Sequence, residues 1–326
     1  MHEIMTGKLQ IGNWTFNEIN LSDMDMYSEY IKATEYPANL WSSNFAYLWA
    51  SGRSSRKKIL WKEIDGMLAT FGYTSKKSLY LMCLPFGKGN CDHVVEVLEK
   101  CLRFCYETDN NDATESILRM VNSMQLDFLR ESKAFTEHFK TIPLVGIERH
   151  FSIPKLVRLE SKEFRSLRKK VNRFRNLCPE VTVRDYIPDD FDDVMKIGQY
   201  WNETSGQKYS TIFDKVYFRE IIKHCKELDH KVMVVEKDKK IIGVVTGGGL
   251  PTGQAWGCLS KFVNQYDGLS EFMIVKFVQE IHKEHPEMEY LNTGSDLGPG
   301  GLRAYKDKFR PVLNLKRYRV QLKPGE

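Results

Sequence analysis

From Lys231 to Lys283 the chain reads KVMVVEKDKKIIGVVTGGGLPTGQAWGCLSKFVNQYDGLSEFMIVKFVQEIHK, and the order of elements in this stretch decides the fold. Lys231 to Glu236 reads as a strand that turns through Lys237-Asp238 into a partner, Lys240 to Gly247. Ala255 to Val263 is a third strand, Gln265 to Ser270 a loop, and Glu271 to Lys283 a helix. The same order stands earlier in the chain. Lys58 to Glu63 and Met67 to Tyr73 flank the turn Ile64-Asp65-Gly66. Ser78 to Leu84 follows as a strand, Pro85 to Asn90 as a loop, and Cys91 to Tyr106 as a helix with Val94, Leu98, Leu102 and Cys105 on one face. The turn residues Asp65 and Asp238 lie 173 positions apart and the loop residues Gly87 and Gly268 lie 181 apart. The difference falls in the longer, glycine-rich hairpin Thr246 to Gly253. After each helix a short strand ends in asparagine, Ile117 to Asn122 and Glu289 to Asn292. A repeat of element order on this scale predicts two α/β domains of one plan, each a mixed central sheet flanked by helices.

A chain of 326 residues suits two domains of average size. The strand-like stretch within Thr141 to Pro154 places the boundary there, with residues 1–146 as the first domain and 147–326 as the second. A composition of 42% hydrophobic and 28% charged residues describes a globular protein with an ordinary core. No apolar run approaches the ~20 residues of a membrane span, and Met1 to Phe16 lacks a basic start followed by an apolar stretch. Both features point to a cytoplasmic protein that does not span a membrane. None of the 7 cysteines forms a C-x-x-C pair. Cys101 and Cys105 share the apolar helix face and read as core residues, and no metal is expected. The net charge of +5 permits an anionic partner without demanding one.

A strand that enters a glycine loop and then a helix presents backbone N–H groups and the positive helix end to an anion; a plain tight turn is the other reading of such a loop. The second loop, Gln265-x-x-Gly268-x-Ser270, resembles the Q/R-x-x-G-x-G/A loop of GNAT acyltransferases, with Ser in place of the final small residue. That resemblance implies an acyl-CoA donor held at Asn264, Gln265, Asp267, Gly268, Leu269 and Ser270. The first loop, Leu84-x-x-Gly87-x-Gly89, keeps both glycines but has Leu at the polar position, which implies a first domain with a degenerate donor site. The run Gly247-Gly248-Gly249 reads as part of a hairpin loop that could line a cleft. Further on, Asn292 ends a strand and Tyr305 follows on a short helix. The GNAT resemblance implies that Asn292 orients the donor and that Tyr305 protonates the leaving group, although the spacing is longer than usual and a packed aromatic is the alternative. Asp296, within the inserted Gly294 to Gly301, reads as an acceptor anchor or base.

The run from Asn292 to Lys306 also resembles an uncharacterised bacterial family related to the C-terminal catalytic domain of phosphatidylglycerol lysyltransferases. Trp61 to Gly66, Leu84 to Gly87 and the helix near Arg168 share the likeness. Relatives of that family, including the Fem peptidoglycan aminoacyltransferases, use tandem GNAT domains and take an amino acid from aminoacyl-tRNA. The helix Lys162 to Leu177 places Phe164, Leu167, Val171 and Phe174 on one apolar face. Its other faces hold seven basic residues against one acid. A solvated surface explains a few of these charges; so many suggest a tRNA or an anionic lipid headgroup, with Arg165, Arg168, Lys169 and Arg173 as contacts. The leading expectation is transfer of an acyl group from an acyl-CoA donor to a small amine or hydroxyl acceptor. Aminoacyl transfer from aminoacyl-tRNA and a non-catalytic CoA- or anion-binding module are the alternatives.

Overall fold

The computed structural model describes residues 7–109, 116–208, 214–298 and 300–323. Two compact units divide them: one holds the described residues up to Ile147 and those from Leu315 on, the other Glu148–Asn314. Unit 1 begins with strands β1 (Lys8–Ile11) and β2 (Trp14–Glu18), then helices α1 (Met24–Ala33) and α2 (Phe45–Ser51). Strands β3 (Lys57–Ile64), β4 (Met67–Thr74) and β5 (Leu79–Leu81) lead to helix α3 (Cys91–Thr108) and strand β6 (Ile117–Asn122). Helices α4 (Ser123–Leu129) and α5 (Lys133–His138) follow, and strand β7 (Phe139–Ser152) carries the chain onward into unit 2.

Unit 2 continues with helices α6 (Ile153–Arg158) and α7 (Arg165–Leu177), strand β8 (Thr182–Asp185) and helices α8 (Phe191–Glu203) and α9 (Lys215–Lys223). Strands β9 (His230–Lys237), β10 (Lys240–Gly249) and β11 (Ala255–Phe262) then precede helix α10 (Leu269–Glu284) and strand β12 (Tyr290–Ser295). Helix α11 (Gly301–Asp307) and strand β13 (Leu313–Leu322) close the chain.

The repeat is real at the level of pairing. In unit 1, β3 pairs antiparallel with β4, β4 antiparallel with β5, and β5 parallel with β6. In unit 2, β9 pairs antiparallel with β10, β10 antiparallel with β11, and β11 parallel with β12. Each unit completes its sheet with a strand distant in sequence. β13 lies antiparallel to β6, and the end of β7 lies antiparallel to β12, with Asn292 opposite His150. The sequence reading left everything after residue 146 in the second half. The described residues from Leu315 on instead sit with unit 1, because β13 bonds to β6.

Two local expectations need correction. The third strand of the first copy is only Leu79–Leu81, because Pro85 cannot donate to a ladder and the chain bulges until Leu68 and Phe86 exchange backbone hydrogen bonds. Gly247 to Gly249 is strand rather than loop, and the turn is confined to residues 250–254, where the Leu250 N–H reaches the Gln254 carbonyl. The ring of Phe277 explains a glycine here, since a Cβ at Gly247 would stand 2.5 Å from it.

Helix α7 lays its apolar face on the unit 2 core: Leu167, Val171 and Phe174 are all buried, and the Phe174 ring lies 4.9 Å from that of Phe272 on α10. This packing brings the α7 backbone against the turn before α10. Gly268 adopts φ +89°, and a Cβ there would lie 2.6 Å from the Lys170 carbonyl oxygen. Gly268→Ala should therefore destabilise the fold by about 1–3 kcal/mol, combining backbone strain with overpacking. Gly66→Ala, at φ +78° with nothing near its Cβ direction, should lose only the strain, about 1 kcal/mol. Urea melts of the two variants check this; equal losses would show that α7 does not press on Gly268.

Candidate functional site

Strands β11 and β12 are paired only at Ala255 with Leu291 and Trp256 with Asn292 among the described residues. Their C-terminal ends are therefore not bonded to each other, and a parallel pair that parts in this way leaves backbone groups open to an extended ligand. Three pieces of chain surround the notch: the loop between β11 and α10, the end of β12, and α11.

The loop is held from beside and beneath. Asn264 and Gln265 are exposed, and the Ser205 hydroxyl donates to the Asn264 side-chain carbonyl at 2.9 Å. Leu269 is wholly buried in the core. Asp267 receives Lys170 Nζ at 3.0 Å and pairs with Arg173 at 3.2 Å. The Lys170 hydrogen bond, reinforced by its charge, holds the Asp267 carboxyl below its usual value. Glu271, in the first turn of α10, is buried and accepts from Lys308 Nζ at 2.8 Å and from the Ser270 hydroxyl at 2.7 Å. Burial pushes its carboxyl up, but these hydrogen bonds outweigh burial and bring it below the ordinary range. The positive end of α10 thus already faces two carboxylates, which a helix N-terminus favours.

The end of β12 is held by Asn292, which the sequence reading expected to orient a donor, and by Lys306 and His150, which it did not single out. Asn292 is fully buried; its carbonyl accepts the Gly294 N–H at 2.8 Å and its amide donates to Glu148 at 3.3 Å. It shapes the irregularity between Asn292 and Ser295. Lys306 Nζ donates to the carbonyl oxygens of Thr293, Gly294 and Ser295 at 2.6, 3.0 and 2.9 Å. His150, also buried, has its Nε2 4.0 Å from Glu148.

Asp296 is not placed as a base. It is buried, accepts from Arg149 Nε at 3.0 Å and Nη2 at 2.7 Å, from Arg303 Nε at 2.8 Å, and from the Gly298 N–H at 3.1 Å. A carboxylate held by two guanidinium groups and a backbone N–H anchors the loop. Tyr305 is half-buried, edge-on to Phe309 with centroids 5.3 Å apart, and the Lys308 ammonium stands 5.2 Å from its ring. Part of the residue reaches solvent, but its hydroxyl oxygen is buried.

The basic face divides in two. Arg168 turns inward to the carbonyls of Leu159 and Ser161, and Lys170 is occupied by the acids of the loop. Arg165 and Lys169 are exposed and have no carboxylate partner among the described residues; Arg173 is exposed beside Asp267. Lys261, on the notch strand β11, was not foreseen. It is buried, paired with Asp214 at 2.9 Å, and its ammonium lies 4.1 Å from the Trp201 ring centroid. Burial lowers its pKa against the opposing pull of Asp214.

Removing one partner from a buried ion pair leaves the other charge uncompensated. Asp296→Asn should therefore cost about 3–5 kcal/mol, whereas the paired replacement Arg149→Met with Asp296→Leu should cost clearly less. Denaturant melts distinguish them; equal costs would mean that Asp296 acts through something other than Arg149.

Residues 42–321 match the family described as phosphatidylglycerol lysyltransferase, C-terminal. Among solved structures, a conserved protein of unknown function from Bacteroides thetaiotaomicron is similar at TM-score 0.79 and 20% identity, over 96% of this chain and 100% of that one. L-PGS from Bacillus licheniformis is similar at TM-score 0.65 and 14% identity, over 95% of this chain and 94% of that one. FemX is similar at TM-score 0.61 and 11% identity, over 96% and 97%. No curated protein matches the sequence. The two units are tandem GNAT-like folds, and no helix among the described residues is long and apolar enough to cross a membrane. The family match takes in most of the sequence, and the chain accordingly belongs to the phosphatidylglycerol lysyltransferase C-terminal family, a family of transferases.

Proposed function

We propose that this protein is an aminoacyltransferase that takes its amino acid from aminoacyl-tRNA and passes it to an amine or hydroxyl acceptor. The observation that carries the reading is the state of the loop before α10. Its glycine is pressed by the α7 backbone, and its helix end is occupied by Asp267 and Glu271 with their lysine and arginine partners. That arrangement disfavours the pyrophosphate of an acyl-CoA at the place a GNAT loop offers it. The other side of α7 keeps Arg165 and Lys169 turned to solvent, where a phosphate backbone can reach them. A family named for a lysyltransferase is in keeping with an aminoacyl donor.

In this scheme the acceptor attacks the ester carbonyl that joins the amino acid to the terminal ribose, and the ribose oxygen departs. An alkoxide leaves more easily when a positioned donor supplies a proton. Tyr305, whose ring is set by Phe309 and Lys308, is assigned to that step. It regains a proton from the one the acceptor loses. Lys306 and the Arg149–Asp296–Arg303 group hold the end of β12 and the start of α11, which fixes where Tyr305 stands.

Hydroxylamine is a suitable surrogate acceptor, and formation of aminoacyl hydroxamate from charged tRNA is the readout. The protein should accelerate it well above the uncatalysed rate, and Tyr305→Phe should lower the rate by roughly ten- to a thousand-fold with little change in melting temperature. No acceleration with any charged tRNA, together with activity on acetyl-CoA, would overturn the reading. The double replacement Arg165→Glu and Lys169→Glu should flatten the salt dependence of tRNA binding by about two units in log–log slope. An unchanged slope would return these residues to a solvated face.

A further inference from the structure

Unit 1 carries a second charged cluster that the transfer reaction proposed for unit 2 does not use. Lys57 at the start of β3, Tyr80 on β5, Arg119 on β6 and Tyr47 on α2 interact with one another. The Arg119 guanidinium hydrogen-bonds the hydroxyls of both Tyr47 and Tyr80, and Ser51 hydrogen-bonds Tyr47 as well. Gly72 makes the arrangement possible. It stands opposite Tyr80 in the β4–β5 register, and a Cβ there would lie 2.5 Å from the Tyr80 ring. Without a side chain at 72, the phenol lies flat across β4. Trp41 forms a wall, its ring 5.1 Å from that of Tyr47. Lys57, Tyr47, Tyr80 and Arg119 are each half-buried, so part of each residue reaches solvent.

Two cations therefore share one recess, each repelling the other, and no ion pair to a carboxylate is made by either among the described residues. Partly desolvated cations of this kind are normally matched by an acid. Here only phenols and a hydroxyl are supplied, and these can donate to an anion as readily as they accept from a cation. We propose that this recess is a binding site for a phosphoryl anion, held by Arg119 and Lys57 and by hydrogen bonds from Tyr47 and Tyr80. The planar fork of Arg119 suits two phosphoryl oxygens, and Lys57 adds a point charge. The electrostatics of the empty cluster agree. Burial pushes the Tyr47 phenol up, but Arg119 and Lys57 pull it below its ordinary value, so the recess draws negative charge from its own wall. The cluster lies next to the parallel pairing of unit 1, since Arg119 directly follows Leu118, which pairs with Leu81.

The phosphoryl group can belong to a free small molecule or to a lipid headgroup, and the test separates them. Calorimetry of the full chain with inorganic phosphate is the first arm. Co-sedimentation with phosphatidylcholine vesicles, with and without phosphatidylglycerol, is the second. Arg119→Gln and Lys57→Gln are made separately, so that one folded variant suffices. Phosphate binding that falls about ten-fold or more in either variant supports the site and, without vesicle binding, assigns a free phosphoryl ligand. Vesicle binding that needs the anionic lipid, falls in the variants and is competed by phosphate supports a headgroup. Failure of both ligands to bind, or binding that neither substitution changes, overturns the proposal. Because the hydroxamate assay depends on unit 2, its failure would leave this result readable.

Discussion

The contact between Gly268 and the Lys170 carbonyl is the constraint on which the site in unit 2 depends. It exists because α7 has one apolar stripe that must be buried, and the place where it is buried is the surface of α10. Once Phe174 and Phe272 meet, the α7 backbone lies too near the loop for any side chain at 268. The acids of the loop and the bases of α7 then neutralise one another. A motif that in isolation suggests a phosphate cradle is, in this context, packed against a second helix. The charges left over, on Arg165 and Lys169, point outward to solvent.

Sequence periodicity made much of the fold legible. The hairpins at Asp65 and Asp238, the strand Ile117–Asn122 and the amphipathic helices depend on neighbours a few residues away, and such patterns are written locally. The element boundaries erred where backbone irregularity intervened, as at Pro85 and in the glycine run of β10. The site was less legible, for a different reason. Asp296 looks like a free acid in a flexible loop until its partner Arg149 is found 147 positions earlier in the chain. Lys306 reads as one more surface lysine, but it reaches three carbonyls at the end of β12. Lys261 sits in a strand pattern that gives no hint of Asp214 and Trp201 around it. Long-range pairing decides each of these, and spacing within one segment carries no record of it.

The two units show how one plan can be turned to different ends. Both keep a parallel strand pair joined by few residues, and both place a glycine loop before a helix. In unit 1 that loop is filled locally: His93 covers Gly89, and its ring hydrogen-bonds the Asp65 carbonyl at 3.1 Å. In unit 2 it is closed by a neighbouring helix instead. What differs most is the residue at the end of the parallel pairing. In unit 2 the last paired residue, a buried asparagine, organises backbone, whereas in unit 1 the arginine that follows the pair gathers phenols and a lysine.

The central claim is that the closed loop has exchanged a coenzyme donor for a nucleic-acid one. Its most direct test is a side-by-side measurement of equilibrium binding of charged tRNA and of acetyl-CoA to the same preparation of the full chain. The account predicts tRNA binding that weakens steeply with salt, and no saturable heat from acetyl-CoA up to a concentration on the order of 1 mM. Saturable, micromolar acetyl-CoA binding with no measurable affinity for charged tRNA would contradict it.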